Sequence, residues 1–264
     1  MSFISVRHGS SPLILSIPHA GTEIPESMLP ALVSPWLARK DADWWLPELY
    51  AFAESLDATV ISTRISRTVI DVNRDPSGAS LYPGQATTGL CPTETFDGEP
   101  LYHSGKEPNE KEILLRRVKY FDPYHEALAA EIARLRRLHH AVTLYDCHSI
   151  RGEIPRLFQG ILPNFNIGTN DDRSCDSTIT ERVAAICDSD PRFTHIVNGR
   201  FKGGYITRHY GDPEAGINAI QMELACRGYM EEPARPTPEN WPSTFNPASP
   251  IITILKTILE SLIP

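Results

Sequence analysis

The chain has no Cys-x-x-Cys pair, and its five cysteines, Cys91, Cys147, Cys175, Cys187 and Cys226, are odd in number. A disulfide framework and a cysteine-based zinc site are therefore not expected, and the thiols read as reduced ones. No apolar run approaches the roughly 18 residues that a membrane-spanning helix needs. The opening Met1-Ser2-Phe3-Ile4-Ser5-Val6-Arg7 lacks the apolar core of a signal peptide, so the expectation is a cytoplasmic protein. Positive charge is also in short supply. Twenty-five basic side chains stand against 33 acidic ones, a net charge of −8. That balance argues against general binding of nucleic acid or anionic membrane. An acidic substrate would have to be drawn in by local basic residues, against the overall field. Neither Gly-x-Ser-x-Gly nor the phosphate-cradling Gly-x4-Gly-Lys-[Ser/Thr] occurs, which leaves serine-hydrolase and P-loop chemistry without support. There is no internal repeat, low-complexity tract or domain linker, and 264 residues fit one domain over 1–264 better than two.

What is present is an alternation of short apolar runs and amphipathic stretches. Strand-like runs lie at 13–17, 58–62, 69–72, 142–146, 193–197 and 218–224. The clearest helix spans 124–139, with Tyr124, Leu128, Ile132, Leu135 and Leu138 on one stripe. Further helices are expected at Asp43–Leu56, 174–188 and 248–262, with Trp44, Leu46, Leu49 and Phe52 of the first available to the core. Such alternation predicts an α/β domain with a mainly parallel sheet flanked by helices. The stretch 75–110 is rich in glycine and proline and lacks long periodicity. It reads as an ordered excursion over the sheet, because long loops in compact domains tend to be functional. The stretch 231–248 carries five prolines and reads as a surface wrap.

Two of the apolar runs end in histidines. Leu13-Ile14-Leu15-Ser16-Ile17 leads into Pro18-His19, and Val142-Thr143-Leu144-Tyr145 into Asp146-Cys147-His148. Ligands of open α/β sheets bind beyond the carboxyl ends of the strands, so the two imidazoles could meet over one site. Either alone is compatible with an ordinary hydrogen-bonded histidine, but two histidines plus a carboxylate form a common catalytic zinc set. Asp43, Glu23 and Asp146 are the carboxylates available as third ligand. Asp146 shares a strand face with His148 and could instead orient its ring. Arg64, Arg67 and Arg74 cluster around the 69–72 run, with Asn73 beside Arg74. Arginine forks match carboxylates, although surface ion pairs would use the same residues. Glu223 sits among apolar neighbours in Ile220-Gln221-Met222-Glu223-Leu224, where burial would raise its pKa toward that of a general base. A place on the solvent side of a strand is the alternative. Arg208 and His209 lie in a stretch bounded by Gly203-Gly204 and Gly211, read as a loop that approaches a ligand closely.

Several segments together resemble the N-formylglutamate amidohydrolase (deformylase) family of histidine degradation. They are Ile17-Pro18-His19-Ala20-Gly21, Asp43-Trp44, Ser66-Arg67, Ile70-Asp71-Val72-Asn73-Arg74, Pro92 to Tyr102, Tyr145-Asp146-Cys147-His148-Ser149, Phe165 to Thr169, Lys202 to Gly211 and Gln221-Met222-Glu223. They extend over nearly the whole chain. The family is distantly similar to zinc carboxypeptidases and aspartoacylases, which share the Asp-x-Asn-Arg segment and a late catalytic glutamate. The resemblance implies a zinc-carboxypeptidase-like (phosphorylase/hydrolase-like) fold, with Zn2+ or another divalent metal on His19, Asp43 and His148. Those relatives usually place a glutamate three residues after the first histidine. Here that position is Thr22, and Glu23 follows as the rival third ligand. The resemblance further implies Glu223 and Arg67 in catalysis, and Arg67, Asn73, Arg74, Arg208 and His209 in binding a small dicarboxylate. The reaction expected is hydrolysis of N-formyl-L-glutamate to formate and L-glutamate. Hydrolysis of another N-acyl or N-formimidoyl acidic amino acid is an alternative, as is a non-enzymatic acidic-metabolite-binding protein.

Overall fold

A computed structural model of the chain describes residues 2–80, 84 and 86–263. Leu81, Tyr82, Pro83 and Gln85, part of the expected 75–110 excursion, lie outside the described residues. Seven strands form one mixed sheet: β1 (Ile4–Arg7), β2 (Leu13–Ile17), β3 (Thr59–Thr63), β4 (Val142–Ile150), β5 (Phe165–Gly168), β6 (His195–Val197) and β7 (Ile217–Ala225). Their order is β1-β3-β2-β4-β7-β5-β6. The four central strands, β3-β2-β4-β7, are mutually parallel. β1 joins β3 antiparallel at one edge, and β5 joins β7 antiparallel toward the other, with β6 parallel to β5.

The helices are α1 (Leu37–Lys40), α2 (Leu46–Leu49), α3 (Glu110–Arg116), α4 (Asp122–Arg136), α5 (Ser177–Cys187), α6 (Tyr205–Tyr210) and α7 (Ile251–Ser261). They cover both faces of the sheet. Tyr124, Leu128, Ile132 and Leu135 of α4 pack with Ile14, Ile61 and Leu144 on one side. α2, α5 and α7 pack with Leu13, Leu15, Tyr145 and Ile220 on the other. Covering both faces is why all five residues of β2 and all nine of β4 are buried and read as nearly continuous apolar runs. All five cysteines are free and buried. Among the described residues no helix is long and apolar enough to cross a membrane.

Several sequence expectations are corrected. The 69–72 run is not a strand. Val69, Ile70 and Val72 are buried in the core, but turn bonds Val69 N to Ser66 O and Arg74 N to Asp71 O organise the backbone. Both edges of the neighbouring β3 are already taken by β1 and β2, so the β-branched residues bury without a ladder. The helix expected over Asp43–Leu56 breaks into α2 and a 3-10 turn at Ala51–Leu56, and Asp43 itself precedes both. Trp45, with φ of 66°, turns the chain just before Pro47 restarts it as α2. Leu138 lies beyond the end of α4 and is 60 % exposed. Arg208 and His209 sit on the short helix α6, not in a loop. β1 and β5, four residues each, carry too little pattern to have been read in advance.

Candidate active site

Pairing of β4 with β7 sets the geometry of the site. In register, Asp146 faces Gln221 and His148 faces Glu223, and residues two apart on a strand share a face. One face near the strand ends thus carries a two-by-two patch of chemically active side chains. β2 runs alongside β4 with Ser16 opposite Asp146, and its extension through Pro18 brings His19 to the same end. Asp43 reaches the patch from the α1–α2 connection, where its backbone N–H donates to the His19 carbonyl at 3.0 Å. The 231–248 wrap holds that connection in place. Trp45 and Trp36 donate their indole N–H groups to Ser243 O and Trp241 O, and the buried Trp241 donates to Lys40 O.

His19, Asp43 and His148 form a buried group whose ligand atoms lie within 4.8 Å of one another. Each imidazole is anchored through Nε2, His19 on Asp71 Oδ1 at 2.7 Å and His148 on Asp146 Oδ2 at 2.8 Å. Donation through Nε2 leaves the Nδ1 lone pair of a neutral ring turned inward. Both Nδ1 atoms approach the same oxygen, Asp43 Oδ2, His148 at 3.2 Å and His19 at 3.8 Å. His19 Nδ1 is buried and has no hydrogen-bond partner. Three acceptors converging on one point require positive charge between them. Without a metal, a proton on His148 would supply that charge. Against its burial, Asp146, Asp43 and Glu223 push its pKa well above the ordinary value. Burial and Arg67 lower that of His19. A divalent cation fits the donor set, two imidazole nitrogens and a carboxylate, with a carboxylate behind each imidazole.

Asp71 is the residue the sequence reading left without a role. Its Oδ1 also accepts from Asn73 N at 2.9 Å, and its Oδ2 accepts from Arg67 Nη2 at 2.7 Å. Burial disfavours its charge, yet Arg74, His19 and Arg67 hold its pKa well below the usual carboxylate range. Asn73 Nδ2 donates to Asp146 Oδ2 at 3.1 Å, and Asn73 Oδ1 accepts from Ile206 N at 2.8 Å. Arg67 is buried with its guanidinium carbon 4.8 Å from the Phe96 ring centre. Phe96 belongs to the 75–110 excursion, which is tied down by ion pairs of Asp97 with Lys40 and Arg151, each at 2.6 Å.

Glu223 is buried, not on the solvent side of its strand. Burial above all raises its pKa to about 8, with the charge of His148 opposing and that of Asp43 adding to the rise. Gln221, two residues before Glu223 on β7, has a function that its motif alone does not reveal. Its Oε1 accepts from Gly204 N at 2.7 Å, which turns its Nε2 toward Glu223 Oε2 at 3.3 Å. Gly204 is required there, since a Cβ would stand 2.4 Å from Asn73 Nδ2.

A cleft opens over this patch. His19, Arg67, Asn73, Arg74, His148, Gln221 and Glu223 line it, with Thr88, Phe96, Ile150, Arg200 and Phe201 among its other walls. Three sequence candidates lie elsewhere. The Glu23 carboxylate, exposed at the surface, pairs with the half-buried Arg64 at 3.2 Å. Arg208 donates through Nε to Gly203 O at 2.9 Å, and the His209 ring stacks on Tyr205 with centres 4.8 Å apart. Neither Arg208 nor His209 is among the described residues lining the cleft. Arg200, which does line it, was missed because its segment has no periodicity and no motif.

Residues 11–230 match the N-formylglutamate amidohydrolase family. The chain belongs to that family. It is 44 % identical over 231 residues to an N-formylglutamate deformylase of Pseudomonas aeruginosa, covering 88 % of this chain and 86 % of that one. It is 42 % identical over 262 residues to an N-formylglutamate deformylase of Pseudomonas putida, covering 98 % and 95 %. A crystal structure of N-formylglutamate amidohydrolase from Ralstonia eutropha JMP134 shares the fold of this family member, with a TM-score of 0.79 at 22 % identity over 99 % of this chain and 96 % of that one. A gene product of Agrobacterium tumefaciens does so with a TM-score of 0.73 at 17 % identity over the same shares.

Proposed function

We propose that this chain hydrolyses N-formyl-L-glutamate to formate and L-glutamate, with a divalent metal, most simply zinc, held by His19 Nδ1, His148 Nδ1 and Asp43. The observation that carries the reading is the register of β4 and β7, which sets Glu223 beside His148 at the edge of the buried ligand group. Membership of the family and the printed activity of the Pseudomonas relatives support it. When bound, the metal supplies Lewis acidity and lowers the pKa of a coordinated water toward about 7.

The remaining work falls to the chain. Glu223 accepts a proton from the attacking water and returns it to the amide nitrogen that leaves with glutamate. A carboxyl with a pKa of about 8 is mostly protonated at neutral pH, and a nearby cation shifts it back toward the basic form the step needs. Arg67, aimed into the cleft and fixed by Asp71, donates to the oxygen on which charge develops. Asn73 and Arg74 take a carboxylate of the substrate. Gln221 fixes the rotamer of Glu223 from one side. The family resemblance supports placing this reaction in histidine degradation, in the cytoplasm.

Formate release from N-formyl-L-glutamate, measured with and without added zinc after chelation, tests the reading. Turnover that disappears on chelation and returns with metal is the expected result. Turnover of N-formimidoyl- or N-acetyl-glutamate in place of the formyl compound would move the assignment to another acyl group. No turnover of any of them overturns it.

A further inference from the structure

The strap from Asn198 to Gly204 runs from the end of β6 to the middle of the cleft, and it is fastened at both ends. Asn198 adopts φ of 50°, accepts from Thr169 N and donates to Thr169 Oγ1, each at 2.8 Å. At the far end Asn170 N donates to Lys202 O at 2.6 Å, and Gly203 turns at φ of 109°. Asn170, Asp171 and Asp172, which receive the strap, all have positive φ, at 52°, 55° and 61°. Non-glycine residues in that region are strained and persist where the surroundings over-determine them. The strap presents Arg200 and Phe201 to the cleft.

Arg200 donates through Nε to Leu157 O and through Nη2 to Ala86 O, each at 2.9 Å. Arg74 donates through Nε to Thr88 O at 2.9 Å and through Nη2 to Thr88 Oγ1 at 3.0 Å. The two guanidinium groups thus grip the same cleft-lining segment two residues apart, at Ala86 and Thr88. Two residues of extended chain span at most roughly 7 Å. The carboxyl carbons of a glutamyl group are four bonds apart, roughly 5 Å when extended. Two cleft-lining arginines anchored on one short segment offer one cation for each carboxylate of a glutamyl group.

We propose that Arg200 is the specificity-determining residue that reads the side-chain carboxylate of the substrate, with Arg74 and Asn73 on the α-carboxylate. The inference rests on the proposed formylglutamate hydrolysis. It gives the strap a substrate contact of the kind the resemblance implied for Arg208.

The test compares N-formyl-L-glutamate with N-formyl-L-glutamine, which keeps the α-carboxylate and lacks the side-chain charge. Losing a desolvated charge partner typically lowers kcat/KM by about 30-fold or more. Arg200→Met should do so for the acid and leave the amide within about 3-fold, so that discrimination between them collapses. Arg74→Met should lower both substrates together, and Arg208→Met, which loses the bond to Gly203 O of the strap, should leave the ratio between them unchanged. Retained turnover of the amide also shows that the variant is folded. Should Arg200→Met fail to fold, Arg200→Gln, whose amide nitrogen takes the place of Nε facing Leu157 O, must show the same switch. Equal losses on both substrates for the Arg200 variants overturn the assignment while leaving the hydrolase reading intact. A wild-type protein that releases no formate from either overturns both.

Discussion

Each imidazole of the candidate site has one nitrogen committed to a carboxylate, and each carboxylate is held in turn by a second group. Asp71 is gripped by Arg67 and the Asn73 amide N–H, Asp146 by the Asn73 side chain. Such supporting bonds fix the inward tautomer and ring orientation before any cation arrives. Ligand and base can be separated by mutation at this scale. Glu223→Gln should keep its metal content and lose about 10²–10⁴-fold in kcat, because an amide cannot accept the water proton. Asp43→Asn should lose metal. Glu23→Gln, altering a largely exposed residue paired with Arg64, should change neither. Elemental analysis alongside formate release reads all three. A Glu223→Gln variant retaining more than half the wild-type kcat would remove that residue from the mechanism.

Among the elements, α4 has a part in shaping the site that is not visible in its amphipathic stripe. His125, on the edge of that stripe, donates through Nε2 to Val72 O at 2.8 Å and meets Tyr210 Oη with Nδ1 at 2.9 Å. It therefore bridges α4, the Asp71–Arg74 turn and α6. Burial lowers its pKa to about 4, with His209 adding to the effect and the Val72 bond opposing it. The folded protein holds this ring neutral, whereas the unfolded chain takes up a proton below about 6.5. The unfolded state binds more protons between those values, so stability rises with pH across that window and is lost as pH falls from 6.5 toward 4. The contribution at stake is about 3 kcal/mol. Urea unfolding at pH 7 and pH 5 should show a larger loss for the wild type than for His125→Gln. Equal losses would mean that another group governs the acid limb.

For the molecule as a whole, the metal is expected to act as a ligand of the folded state alone. Its three proposed ligands come from positions 19, 43 and 148, which only the sheet brings within 4.8 Å of one another. Binding at 100 times Kd would then stabilise the fold by about 2.7 kcal/mol. For a chain of this size that corresponds to a rise in Tm of roughly 5–10 °C. Thermal unfolding of chelated protein, with and without added zinc, measures it. A His148→Ala variant should show no zinc-dependent shift. A full shift in that variant would place the metal elsewhere.

The alternation of apolar runs and amphipathic stretches determined the α/β class, and the strand-end histidines pointed to one end of the sheet. Those signals are local, and β2, β4, β7 and α4 carry them strongly because both sheet faces are covered. The family was legible because its motifs run over nearly the whole chain. Spacing could not decide between Asp43, Glu23 and Asp146, since Glu23 and Asp146 lie near a histidine in the chain and Asp43, which the family resemblance favoured, does not. Packing separated them: Asp43 was turned inward, Asp146 placed behind His148, and Glu23 left with Arg64. The 69–72 run has the composition of a strand, but with both edges of β3 occupied it became the turn that carries Asp71, Asn73 and Arg74. Arg200 and Gln221 enter the cleft through contacts between segments far apart in sequence, Leu157 and Ala86 for one and Gly204 for the other. Such contacts leave no periodicity to read, and only the closed tertiary structure could decide them.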